Sequence, residues 1–209
     1  MQIRTVEFAG AVARPGGPRP GTLPQVAFSG RSNVGKSSLI NRLLGRTRKE
    51  IARVSSTPGK TQEINFYHVH ATLAAGERLE FYAVDLPGYG FAKAPETVRR
   101  RWRPLIEGYL SDTPELRGVV QLIDVRRGLT PDDHRMLEYL AMSGLPTLFA
   151  LTKVDKLKPS QRGARLAAIL ADLGVAEEQA IPFSALNGEG REDLLDSIAE
   201  LLETGADHE

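Results

Sequence analysis

The 209-residue chain contains no cysteine. That excludes disulfide frameworks, thiolate zinc sites, iron–sulfur clusters and cysteine nucleophiles, and it fits a reducing cytoplasm. No apolar run approaches the roughly 18 residues a membrane-spanning helix needs. Met1–Gly10 carries Arg4 and Glu7 and no long apolar stretch, so no secretory signal is expected. Internal repeats are absent. What is there is ordinary for a folded chain: 41% hydrophobic and 25% charged residues. A domain of this size buries roughly two-thirds or more of its unfolded surface and needs no staple.

The net charge of +1 conceals a polarity. Residues 1–61 hold 11 Lys/Arg against 2 Asp/Glu, whereas residues 172–209 hold 11 Asp/Glu against Arg191 alone. A globule charged in this way orients on a polyanion, its basic end attracted and its acidic end repelled.

Arg14–Pro24 (RPGGPRPGTLP) contains four prolines and is incompatible with a helix or a central strand. It reads as an irregular lead-in, giving an N-terminal extension over 1–23, a main domain over 24–203 and a short tail over 204–209. Within the main domain, short apolar runs alternate with helix-like stretches. Gln25–Ser29, Gly118–Asp124, Pro146–Thr152 and Ala180–Phe183 read as buried strands. Glu63–Leu73 and Glu77–Val84 flank Ala74-Ala75-Gly76 as an antiparallel hairpin. Helices are expected over Lys36–Leu44, over Thr97–Leu110 with an interruption at Pro104, after Thr130-Pro131-Asp132-Asp133, over Ser160–Leu173 and around Leu194–Leu202. The alternation implies an α/β fold: a mostly parallel six-stranded sheet with one antiparallel edge strand and helices on both faces. Ligands of such sheets bind at the carboxyl ends of the strands.

Four motifs fall at those ends. Gly30-Arg31-Ser32-Asn33-Val34-Gly35-Lys36-Ser37, followed by Ser38, fits G-x-x-x-x-G-K-[ST] between a predicted strand and a predicted helix. Its backbone N–H groups would wrap phosphate oxygens, with the helix dipole aimed at the same anions. Lys36 would reach the β- and γ-phosphates, and the Ser37 hydroxyl would bind Mg²⁺. Asp85-Leu86-Pro87-Gly88 ends the second hairpin strand; its carboxylate suits Mg²⁺ through a water, and the Gly88 N–H a γ-phosphate. At Thr152-Lys153-Val154-Asp155, the Asp155 carboxylate can accept hydrogen bonds from guanine N1–H and the 2-amino group. Adenine offers neither donor, and a carboxylate left unpaired costs a few kcal/mol. The Lys153 stem can cover the base plane, and backbone N–H groups of Phe183-Ser184-Ala185 can approach guanine O6.

In order, these motifs resemble the nucleotide-binding elements of translation-factor-class GTPases. GRSNVGKSSLIN, STPGKTQEINFY, DLPGYGFA and LTKVDKL resemble, more narrowly, the EngB (YihA/YsxC) family of bacterial GTPases tied to large-ribosomal-subunit assembly. The resemblance runs from about Pro24 to Leu202. It implies a Ras-like P-loop domain that binds GTP or GDP with Mg²⁺, acts in the cytoplasm as a monomer without a membrane partner, and contacts ribosomal RNA. It also implies that Gly59, Lys60, Thr61, Gln62 and Glu63 belong to switch I, with Thr61 joining Ser37 and Asp85 at the metal; Thr57 competes with Thr61 for that role. Lys36, Thr61 and Gly88 are the candidates for catalysis.

Two positions depart from the general GTPase pattern. Thr152 stands where many GTPases have Asn, putting a tie to the phosphate loop in question, although the EngB resemblance expects Thr. Tyr89 follows Gly88 where Ras-type enzymes place a water-orienting Gln, so slow hydrolysis is expected. Asn33 either only shapes its loop or shares a K⁺ with the phosphates. Arg46, Arg48, Lys49, Arg53 and Lys60, and Arg99-Arg100-Arg101-Trp102-Arg103, form two basic clusters at the nucleotide end, read as an RNA-contact surface. His68 and His70 share one strand face without evident further ligands and are expected to be a solvated or packed face rather than a zinc site. Alternatives are an RNA-binding scaffold with a structural nucleotide pocket, an ATPase, and a GTPase of another pathway.

Overall fold

The computed structural model describes residues 1–46, 51–52, 63–90 and 96–204, the last with backbone alone for 96–103 and 204. The positions Thr57, Gly59, Lys60, Thr61 and Gln62, together with Arg48, Lys49 and Arg53, lie outside the described residues, as do the side chains of the Arg99–Arg103 cluster.

Among the described residues, seven strands form one sheet in the order β1-β3-β4-β2-β5-β6-β7: β1 Gln2–Val12, β2 Gln25–Gly30, β3 Ile64–Thr72, β4 Arg78–Asp85, β5 Leu116–Asp124, β6 Thr147–Thr152 and β7 Ala180–Phe183. Five helices connect them: α1 Lys36–Leu43, α2 Glu96–Ser111, α3 Pro131–Ser143, α4 Pro159–Leu173 and α5 Arg191–Thr204. The parallel block β4-β2-β5-β6-β7 is the expected α/β architecture. All six residues of β2 are buried, as the centre of a doubly covered sheet requires. One apolar layer packs α1 and α5 against one face through Leu39, Ile40, Leu43, Leu194, Leu195 and Ile198. A second packs α2 and α3 on the other through Leu105, Ile106, Tyr109 and Leu140. No helix of the described residues is long and apolar enough to cross a membrane.

The strand count is seven rather than six, and β3 is not the edge. The segment read as an extension ahead of the lead-in pairs antiparallel with β3, from Gln2 opposite Thr72 to Val12 opposite Ile64. Register shifts at Ile3/Thr5 and Phe8/Gly10 interrupt its alternation. Val6 therefore joins the α1/α5 layer and Val12 the α2/α3 layer, although their even spacing would otherwise put both on one face. The expected break at Pro104 is also absent: α2 runs through it. Pro104 itself is exposed. Thr130 caps α3 as expected, its hydroxyl accepting from Asp133 N–H while the Asp133 carboxylate accepts from Thr130 N–H.

Candidate functional site

The five parallel strands end at Gly30, Asp85, Asp124, Thr152 and Phe183, so the chemistry-bearing motifs meet at one edge. Between β2 and α1 the chain turns through left-handed backbone at Asn33 (φ 64°) and Gly35 (φ 105°). Gly30 faces Val34 and Leu122 so closely that a Cβ would lie 2.9 Å from Val34 Cγ1. The turn therefore needs glycine, and it leaves the N-terminus of α1 open to an anion. Lys36 is buried and its Nζ is hydrogen-bonded to the carboxylate of Asp85, itself buried at the end of β4. Ser37 is half-buried in the first turn of α1. Leu86 and Pro87 are buried, and Leu86 N–H donates to Phe28 O at 3.1 Å.

Gly88 lies against the phosphate loop. A Cβ there would come within 3.2 Å of Ser32, whose hydroxyl donates to Gly88 O at 3.3 Å. Ser32 N–H donates to Tyr89 O at 2.9 Å, continuing the sheet by one bridge between Arg31 and Tyr89. The Tyr89 side chain turns away from this loop. Its hydroxyl donates to Asp133 Oδ1 at 2.8 Å and accepts from Gln121 Nε2 at 2.5 Å. Burial first, then the Asp133 carboxylate, pushes the phenol well above its ordinary 10, so it remains a donor.

The tie that the Asn-to-Thr departure put in question is present. Thr152 Oγ1 donates to Val34 O at 2.8 Å, with Ile123 O a further 3.2 Å neighbour. Beside it, Lys153 adopts left-handed backbone (φ 66°) and sends Nζ to Asn33 O (2.6 Å) and to Asp124 Oδ2 (2.9 Å). Two consecutive residues at the end of β6 thus hold two consecutive carbonyls of the phosphate loop. Sequence reasoning missed Asp124, although it ends β5 among the same strand tips. Burial works to raise the Asp124 carboxyl, but hydrogen bonds from Arg126 and Lys153 outweigh it and hold it at about 2. Asn41 was also missed: it accepts from Ile51 and Ala52 N–H and donates to Ala52 O, holding the chain beyond α1.

Asp155 sits on the 3-10 turn Val154–Lys156, with Val154 buried beneath it. Its carboxyl is held below the usual value: burial opposes this, but the hydrogen bond from Ser184 Oγ (2.8 Å) and the Lys156 ammonium prevail. Ser184 Oγ also accepts from Leu186 and Asn187 N–H, while Ser184 N–H is spent on Glu189 O. Arg42 of α1 donates to the carbonyls of Ala185 and Leu186. A cleft of about 430 Å³ opens here, lined by Gly35, Ser38, Lys153, Asp155, Phe183 and Ala185 among others. Glu63, exposed just ahead of β3, stands apart from this cleft's lining.

A phosphate loop joined to a base-side carboxylate across parallel strand ends defines a Ras-like P-loop GTPase, an enzyme that hydrolyses GTP. Residues 25–153 match the family model described as 50S ribosome-binding GTPase. The chain is 49% identical to the probable GTP-binding protein EngB of Gemmatimonas aurantiaca over 203 residues, 97% of this chain and 95% of that protein. It is 47% identical to the probable GTP-binding protein EngB of Desulforamulus reducens over the same shares. It belongs to the EngB family of GTP-binding proteins. Among solved structures, that of a probable GTP-binding protein engB superposes with a TM-score of 0.65 at 27% identity, covering 86% of this chain and 99% of that one.

Proposed function

We propose that the protein is a slow GTPase whose GTP and GDP states time a step of large-ribosomal-subunit assembly in the cytoplasm, a step on which growth and division depend. The observation that carries the nucleotide part is the double tie from Thr152 and Lys153 to Val34 and Asn33. It joins the phosphate loop directly to the strand end that carries Asp155, as a pocket for both ends of one nucleotide requires.

In this reading the amides of Gly30–Ser38 cradle the phosphates, and Lys36 exchanges the Asp85 carboxylate for phosphate oxygens. Ser37 and Asp85 are hard oxygen donors beside that lysine, a set that suits Mg²⁺; Thr61 completes it in the family pattern. An ion held there would supply charge neutralisation to the transferred phosphoryl group. Gly88 N–H meets the γ-phosphate. Asp155 reads guanine while the Lys153 stem covers it, and Ala185 supplies the O6 contact because Ser184 N–H is already bonded. The Tyr89 hydroxyl is spent on Asp133 and so leaves the attacking water unoriented, which supports a low intrinsic rate. Rate then comes from a partner or from K⁺ near Asn33, and equal turnover in K⁺ and Na⁺ buffers would eliminate the cation.

The ribosomal part is supported by the family description and by the basic first third of the chain. Co-sedimentation with large subunits is expected to be strongest with a GTP analogue and to weaken steeply with salt. Binding indifferent to nucleotide would favour the scaffold alternative.

A further inference from the structure

The outer hairpin carries a cluster that the GTPase does not use. His68 and His70 lie two apart on β3 and so project from the same face. The register of the hairpin sets Glu80 of β4 opposite His70 and Tyr82 opposite His68, while β1 sets Thr5 and Glu7 on the other side. Glu80 supplies the ligand that the sequence alone did not reveal. Its carboxylate lies 3.0 Å from His68 Nε2 and 3.4 Å from His70 Nδ1, and one ligand atom from each of the three residues can be chosen within 4.8 Å of the others. The two imidazoles sit 4.3 Å apart, centre to centre. Nitrogen and oxygen ligands about 2.0–2.1 Å from a tetrahedral Zn²⁺ are roughly 3.3 Å from one another; His68 Nε2 lies at that range from Glu80 Oε2 and His70 Nδ1 from Glu80 Oε1, each imidazole facing its own carboxylate oxygen.

From this geometry we infer that His68, His70 and Glu80 form a binding site for a borderline divalent metal of the Zn²⁺ class. Two imidazoles and one carboxylate are a donor set for Zn²⁺, Co²⁺ or Ni²⁺ rather than for Mg²⁺ or Ca²⁺, which take oxygen shells. All three side chains are between one-quarter and one-half exposed, which leaves a coordination position for water and gives the ion an entry path. The site lies five residues up β4 from Asp85, roughly 17 Å from the phosphate end. A bound ion would pin β3 to β4 on the sheet's outer flank without touching the nucleotide.

The test is calorimetric titration of Zn²⁺ into GDP-loaded protein in excess Mg²⁺, with Co²⁺ absorption as a spectroscopic readout. Saturable one-to-one binding is expected in the wild type and in His134→Ala. His68→Ala, His70→Ala and Glu80→Gln should each weaken it by at least about tenfold, with unchanged GTP turnover confirming that the variants are folded. Thermal unfolding of the wild type should shift upward with Zn²⁺, and that of His68→Ala/His70→Ala should not. Zn²⁺ titrations that are superimposable between wild type and His68→Ala/His70→Ala would overturn the site and leave a plain histidine–glutamate ion pair.

Discussion

Thr152 replaces an amide with a hydroxyl and still holds the phosphate loop, because a single donor reaches Val34 O at 2.8 Å. Thr152→Val keeps shape and burial but takes that donor from Val34 O. A loss of about 1–2 kcal/mol is expected, seen as GDP affinity falling roughly 5- to 30-fold, with Thr152→Ser restoring most of it. Asp124 sets a second residue-scale expectation. Its carboxyl is lowered from 3.8 to about 2, so it binds its proton later in the folded chain than in the unfolded one. Its stabilisation, about 2 kcal/mol, is complete above pH ~4 and is lost as pH falls towards 2. Urea midpoints measured across that range should fall less steeply in Asp124→Asn than in the wild type.

At the scale of elements, the sequence marks β2, β4, β6 and β7 because strand-like runs and strand-end motifs coincide there, and β5 by its apolar run alone. The α3 start is equally legible in Thr130-Pro131-Asp132-Asp133, where cap, proline and acids act on the same end. β1 is hidden for a physical reason: its bulges switch Val6 and Val12 to opposite layers, and Phe8 is 57% exposed, so no period-2 pattern survives. Pro104 misleads in the other direction: α2 runs on through it. Within the site, the motif residues are readable singly, but the tie of Lys153 to Asp124 depends on which strands end side by side, and that of Asn41 to Ala52 on how the chain beyond α1 folds back. Removal of residues 1–12 should uncover the β3 edge and the surfaces beneath Val6 and Val12. A lower urea midpoint and concentration-dependent association are expected from light scattering; a truncated chain as stable and monodisperse as the intact one would contradict the assignment of β1 to the sheet.

For the whole molecule, charge is unevenly distributed along the chain. The basic first third includes the phosphate loop, and the acidic final stretch includes α5, which packs with α1 on one face of the sheet. The nucleotide motifs lie at the strand-tip edge, where gain or loss of a γ-phosphate would alter what the proposed ribosomal partner meets. The central claim is that one pocket grips a phosphate chain with Lys36 and reads its base with Asp155. Calorimetry of nucleotide binding with Mg²⁺ present tests it most directly. GDP and GTP should each bind one-to-one, ADP and ATP should not, Lys36→Ala should lose the phosphate contribution, and Asp155→Asn should move preference to xanthosine diphosphate. Folded protein that releases no heat with millimolar GDP or GTP, or that binds ADP as tightly as GDP, would contradict the account.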